Sequence, residues 1–126
     1  MSNGNSAIVF VIEDEDSLRR LLCQTLQSHG YSVLEAGRSD LAQEVWKARG
    51  SDISLILADI MLPGGLTGWD LAREFLKERP DIKILYMSGF FGDVPAELTV
   101  NESNFMRKPF LPRELVSRVR ALLETK

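Results

Sequence analysis

The chain has 126 residues, a formal net charge of −3, 44% apolar residues and 26% charged ones. That is the size and balance of one globular domain burying roughly two thirds of its unfolded surface. The acidic balance argues against a phosphate-tracking nucleic-acid face, which needs an excess of Lys and Arg, and no apolar stretch approaches the ~20 residues that span a bilayer. The single cysteine, Cys23, offers neither an internal disulfide nor a cysteine metal cluster, and it fits a reduced, cytoplasmic setting.

Residues 1–6 read as a flexible polar leader and 7–126 as the folded domain. Residues 7–12 form a continuous apolar run, too short for a helix and rich in β-branched residues, and so a buried strand. Leu18, Leu21, Leu22, Thr25 and Leu26 recur at helical spacing over 16–28, with Asp16 or Ser17 as cap and Gly30 as stop. A strand is expected over 31–36, a helix over 39–49, a strand over 53–58, a helix over 68–78 ahead of Pro80, and a strand over 82–87. Pro95 limits the next segment to one or two helical turns before Val100. A short strand over 104–107 precedes a helix over 112–124, with Pro112 suited to its first turn. Five strands and five helices in strict alternation predict a doubly wound α/β fold with a parallel sheet.

Polar residues stand where these strands end. Glu13 and Asp14 follow the first, Asp59 follows the third and opens into a tight Pro-Gly-Gly turn, Ser88 follows the fourth, and Lys108 follows the fifth. Right-handed crossovers bring all strand carboxyl ends to one edge of the sheet, where open α/β sheets place their sites. Three carboxylates gathered there repel one another unless a cation sits between them. Hard oxygen ligands suit Mg2+, and Lys108 adds a second positive charge. The set matches phosphoryl transfer, in which catalysis is mostly positioning and neutralisation of charge. Asp59 is the candidate nucleophile, Glu13 and Asp14 the metal holders, Lys108 the balancing charge and Ser88 a hydroxyl for a phosphoryl oxygen.

With the acidic pair Glu13-Asp14, Asp59 followed by Ile60-Met-Leu-Pro-Gly64, Ser88-Gly89 and Lys108-Pro109-Phe110 in this order, the chain resembles the receiver domains of two-component response regulators over nearly its whole length. The resemblance implies a flavodoxin-like sheet of order 2-1-3-4-5. It also implies Mg2+-dependent transfer of phosphate to Asp59 from a histidine kinase or histidine phosphotransfer protein. The metal is then held by Asp14, Asp59 and the backbone carbonyl of Met61, beside Glu13. Lys108-Pro109 is expected to be a cis peptide, and Phe105 takes the place of the switch aromatic that is often tyrosine in this family. Such a chain is a signalling switch that catalyses only its own phosphorylation and dephosphorylation. Its output would be a downstream protein or a second copy bound at the last strand and helix, with no nucleic-acid contact of its own and no membrane insertion. The loop 63–68 is one residue longer than the commonest family version and is similar to that of receivers in hybrid kinases. Met61 and Phe90, bulky residues two beyond the acceptor and the hydroxyl, are expected to hinder the hydrolytic water and lengthen the phosphorylated lifetime.

Other readings of the same residues are weaker. An aspartate-nucleophile phosphohydrolase usually carries a second acid where this chain has Met61, and a flavin module needs a phosphate loop where it has Glu13-Asp-Glu-Asp16. A degenerate receiver that only binds proteins would lack some of the five pocket residues. His29, the one histidine, reads as structural or solvated, so a phosphodonor histidine must come in trans. Cys23, Trp46 and Trp69 read as packing, and Arg19-Arg20 as a solvated face with docking of a partner as the lesser alternative.

Overall fold

The structure is a computed structural model that describes residues 7–89, 94–96 and 98–125. The described residues form five strands: β1 (Ile8–Ile12), β2 (Ser32–Ala36), β3 (Leu55–Asp59), β4 (Lys83–Ser88) and β5 (Phe105–Arg107). They pair in parallel in the order β2-β1-β3-β4-β5. The helices are α1 (Asp16–Ser28), α2 (Ser39–Arg49), α3 (Gly68–Glu78) and α4 (Pro112–Glu124), and a 3-10 turn at Gly50–Asp52 follows α2.

Alternation along the strands sorts the apolar side chains into two layers. Phe10, Ile12, Ile56, Ala58, Ile84 and Tyr86 face α2 and α3, where Trp46 and Phe75 stack with ring centroids 4.3 Å apart. Val9, Val11, Leu55, Leu57, Leu85 and Met87 face α1 and α4, meeting Leu22, Leu26, Leu115 and Val119. Because both faces are covered, the central strands carry near-continuous apolar runs between their ends, as buried parallel strands do.

The expectation of five helices is corrected: the described residues hold four α-helices. The missing one belongs between β4 and β5, where the described residues from 94 to 104 form turns and bends. Pro95 permits one turn, closed by the Leu98 N–H on the Pro95 carbonyl at 3.0 Å. Asparagine side chains then take over the backbone partners that a helix would need. Asn104 Oδ1 accepts from the Asn101 N–H (2.8 Å), Asn101 Oδ1 accepts from the Ser103 N–H (2.9 Å), and Asn104 Nδ2 donates to the Thr99 carbonyl (2.8 Å). Such side-chain bonds compete with the helical ladder. The expectations for the leader 1–6 and for Phe90 lie outside the described residues.

Strand registers fix the carboxyl edge. Ile12 lies beside Ala36 and Ala58, Asp59 beside Met87, and Ser88 beside Arg107. Each polar residue named from the sequence, Asp14 excepted, is therefore the last paired residue of a strand or the one after it, and Asp14 is one residue further along. Asp59 and Ser88 close β3 and β4 rather than following them, one residue further along than the apolar runs suggested.

Candidate functional site

The register sets Glu13 alongside Asp59 on neighbouring strands, about 4.8 Å apart by ordinary strand spacing. Glu13 is 1% exposed and Asp59 5%. Ligand oxygens of Glu13, Asp14 and Asp59 lie within 4.8 Å of one another, with Asp14 on the exposed side. Hard carboxylate oxygens at that separation fit a small divalent cation that keeps some of its waters.

Lys108 enters from the far strand. Its backbone N–H donates to the Ser88 carbonyl at 2.8 Å, which extends the β4–β5 ladder by one step. The peptide between Lys108 and Pro109 is cis, as expected. Lys108 Nζ stands 2.7 Å from Glu13 Oε1 and 2.7 Å from Asp59 Oδ2. One ammonium thus bridges two buried carboxylates from β1 and β3. Burial works against the ammonium charge, but the bonds from Asp59 and Glu13 outweigh it and hold the Lys108 pKa above its usual value. Glu13 goes the other way for a carboxyl: burial dominates over the Lys108 and Glu15 hydrogen bonds, and its pKa is pushed up to about 7.

The remaining oxygens have assigned partners. Glu13 Oε2 accepts from the Glu15 N–H at 2.9 Å, just before α1. Asp59 Oδ1 accepts from the Met61 N–H at 3.0 Å, so the turn after β3 orients the acceptor carboxylate. That leaves Asp14 as the acid most open to solvent, while Glu13 and Asp59 each accept from Lys108 and from one backbone N–H. Met61 itself is 65% exposed at the rim.

The turn after Asp59 is held by α3. Thr67 and Asp70 form a reciprocal capping box, at 3.1 and 2.9 Å. The Gly68 N–H donates to the Ile60 carbonyl at 2.8 Å. A Cβ on Gly68 would collide with the Asp59 carbonyl oxygen and stand 2.8 Å from Ile60 Cα. Glycine at this position lets the helix begin directly against the end of the acceptor strand. This close approach gives no signal in a single sequence beyond the glycine itself.

Ser88 is 2% exposed at the end of β4, one position beyond the partner of Asp59. Phe105 lies beside Tyr86 across β4–β5 and packs half-buried against the α2–α3 layer, two strands away from Asp59. Arg118 of α4 donates to the Phe105 carbonyl at 2.9 Å and also to the Glu102 carbonyl. Of the residues named from the sequence, Glu13, Asp14, Asp59 and Lys108 share the pocket. Ser88 and Met61 adjoin it through backbone bonds, and Phe105 does not reach it.

The packing assignments hold: Cys23 is buried with its thiol pushed up to about 11 by desolvation, Trp46 donates to Glu78 at 3.1 Å, and Trp69 packs on Tyr86 with centroids 4.9 Å apart. His29 sits at the end of α1 with Nδ1 2.9 Å from the Thr25 carbonyl. Arg19 departs from its expected place on a solvated face. Its guanidinium is built into the loop that carries Glu13 and Asp14. Among the described residues no helix is long and apolar enough to cross a membrane.

Comparison with known proteins agrees with this geometry. The family described as response regulator receiver domain matches residues 9–120. The sensor kinase CckA of Brucella abortus is 35% identical over 123 residues, covering 96% of this chain and 13% of that protein. The phosphate regulon transcriptional regulatory protein PhoB of Pseudomonas aeruginosa is 35% identical over 119 residues, covering 91% of this chain and 51% of its own length. The chain thus spans a small part of the first relative and about half of the second. Among solved structures, the receiver domain of the hybrid histidine kinase CckA superposes with a TM-score of 0.79 at 25% identity, covering 94% of this chain and all (100%) of that one. A response regulator receiver protein from Sinorhizobium medicae gives 0.84 at 28% identity, covering 95% and 96%.

Proposed function

The chain belongs to the response regulator receiver family of two-component signal transduction, and from that premise we propose that it is a phosphoacceptor switch charged at Asp59. The observation that carries the proposal is the Lys108 ammonium at 2.7 Å from both Glu13 and Asp59, within a set of three carboxylates. A buried arrangement of this kind has a cation between its acids and one carboxylate, Asp59, at the end of a central strand beside an exposed turn.

The donor is a phosphohistidine of a histidine kinase or phosphotransfer protein. An Asp59 oxygen attacks phosphorus while the bond from phosphorus to the donor imidazole breaks. The ring nitrogen keeps the electron pair, and the product is an acyl phosphate on Asp59. Lys108 keeps its proton throughout and pairs with a phosphoryl oxygen. The Ser88 hydroxyl donates to another, drawing the end of β4 toward the pocket. Met61 N–H holds the attacking carboxylate in orientation. Mg2+ is the fitting cation, held by Asp14, Asp59 and the Met61 carbonyl with Glu13 beside it, and when bound it would neutralise charge on the phosphoryl oxygens.

Output follows from the β4–β5 edge. A change at Ser88 is passed to Phe105 through the paired strands, which biases a pre-existing equilibrium at β5 and α4. That surface is the binding place for a downstream protein or a second copy. No separate substrate is turned over, and the chemistry is confined to gain and loss of phosphate on Asp59. The likeness to the receiver of a hybrid kinase, together with the longer 63–68 loop, supports a lineage among hybrid-kinase receivers. Incubation with acetyl phosphate tests the reading by intact mass: one phosphoryl mass gained with Mg2+, and none in Asp59→Asn, is the expected outcome. An unchanged gain in Asp59→Asn would refute it.

A further inference from the structure

The loop that presents Glu13 and Asp14 leaves the sheet after one last ladder bond, from the Glu13 N–H to the Ala36 carbonyl at 3.1 Å. Beyond that bond something else must hold two adjacent acids toward a third. The three nitrogens of the Arg19 guanidinium are each spent on a different segment. Nη1 donates to the Glu13 backbone carbonyl at 2.8 Å, Nη2 to Asp16 Oδ1 at 2.8 Å, and Nε to Glu35 Oε1 at 2.9 Å. The planar fork therefore ties the end of β1, the first turn of α1 and β2 together at a point one residue from Asp14. The side chain is only 20% exposed. Its charge also answers Asp16 and Glu35, two acids that would otherwise add to the repulsion around the pocket.

A second feature makes room for this fork. A Cβ on Gly37, in the β2–α2 connection, would stand 2.8 Å from Arg19 Nη1 and 3.7 Å from the Glu13 carbonyl oxygen. The backbone of Gly37 is not in the left-handed region, so its conformation does not demand glycine. What a Cβ there would crowd is the tip of the guanidinium.

We infer that Arg19 is a positioning residue for the cation site: its fork fixes the Glu13-Asp14 turn in the geometry that lets both acids face Asp59. The inference rests on the phosphoacceptor reading of that pocket. Outer partners that orient ligands commonly matter by about 10–100-fold in metal affinity. Lysine keeps the charge but is a point donor that cannot reproduce three fixed directions.

Calorimetric titration with Mg2+ alone, on the full chain at pH 8, tests this in the unmodified protein, Arg19→Lys, Gly37→Ala and Asp14→Asn. Arg19→Lys is expected to weaken Mg2+ by about tenfold or more. Gly37→Ala changes no charge and meets only the tip of a flexible side chain, so it folds, and it is expected to weaken Mg2+ several-fold by displacing the fork. The rate of phosphorylation by acetyl phosphate should return toward the unmodified value when Mg2+ is raised to saturate each variant. A role confined to fastening α1 to β2 would instead lower the unfolding midpoint without Mg2+ and leave the affinity of the folded protein unchanged, and that result overturns the inference. Loss of affinity in Arg19→Lys with none in Gly37→Ala also overturns it, because placement of the fork would then be immaterial. Failure of the unmodified chain to bind Mg2+, or binding unaffected by Asp14→Asn, would overturn the reading of the pocket itself.

Discussion

Glu13 makes the stability of this protein depend on pH in a direction opposite to that of most acids. Its carboxyl is 1% exposed, and burial holds its pKa near 7 in the fold against 4.5 in an ordinary setting. Between those two values the folded chain keeps a proton that the unfolded chain has released, so stability falls as pH rises through the interval. At 1.36 kcal/mol for each pKa unit, the loss from pH 4.5 to above 7 is about 3 kcal/mol, which at this chain length moves the unfolding midpoint by about 10 °C. Glu13→Gln keeps an oxygen for Lys108 and cannot ionise. Thermal unfolding followed by circular dichroism in a chelating buffer, from pH 4.5 to 8.5, should therefore show the two proteins diverging as pH rises. The glutamine variant should be the more stable by about 3 kcal/mol at pH 8. Addition of Mg2+ at pH 8 should restore much of the difference, because a bound cation favours the ionised acid. Parallel pH profiles for the two proteins would refute the placement of Glu13 as a buried, proton-holding member of the pocket.

Other outcomes are open to direct test. Gly68→Ala should lose about 1–3 kcal/mol in urea unfolding, as overpacked sites do, and should slow phosphorylation, since the added methyl group meets the carbonyl of Asp59. Arg79→Met should cost about 2 kcal/mol, because Arg79 Nη1 holds the Gly50 and Ile53 carbonyls at 2.7 and 2.5 Å ahead of β3; an unchanged urea midpoint would contradict that. Replacing Met61 and Phe90 together with small polar residues should shorten the phosphorylated lifetime, read by the decay of the phosphorylated mass, and an equal lifetime would dispose of their proposed role as a barrier to water. Arg118→Ala should leave acetyl-phosphate labelling of Asp59 intact while altering hydrogen exchange at β5, since Arg118 holds the Phe105 carbonyl at 2.9 Å.

The pocket was legible in the sequence because it depends on order and register alone. Every member except Asp14 directly ends or follows a strand legible in the sequence, and a parallel sheet with right-handed crossovers can only gather such positions on one edge. The four longer helices were legible for a related reason: their apolar spacing, with Gly30 or Pro80 beyond the end and Pro112 at the start, left little choice. What could not be read was decided by tertiary partners. From Pro95 to Val100 the sequence suggested one or two helical turns, but Asn101 and Asn104 bond the neighbouring backbone locally, and no periodic pattern announces that. Arg19 looked like half of a surface pair with Arg20, and the two differ only in which carbonyl and carboxylates α1 happens to face. Nothing in the sequence singles out Gly37 or Gly68, although each marks a place where another group comes within 3 Å of where a Cβ would be.

The most direct measurement is the location of the phosphoryl group. After brief exposure to acetyl phosphate and Mg2+, reduction with borohydride converts an aspartyl phosphate to homoserine, and peptide sequencing by mass spectrometry then identifies the position. Homoserine at position 59 alone is the expected result. Reduction at Glu13 or Asp14, a borohydride-stable phosphate on Ser88, or no modification at any position would contradict the assignment of Asp59 as the acceptor.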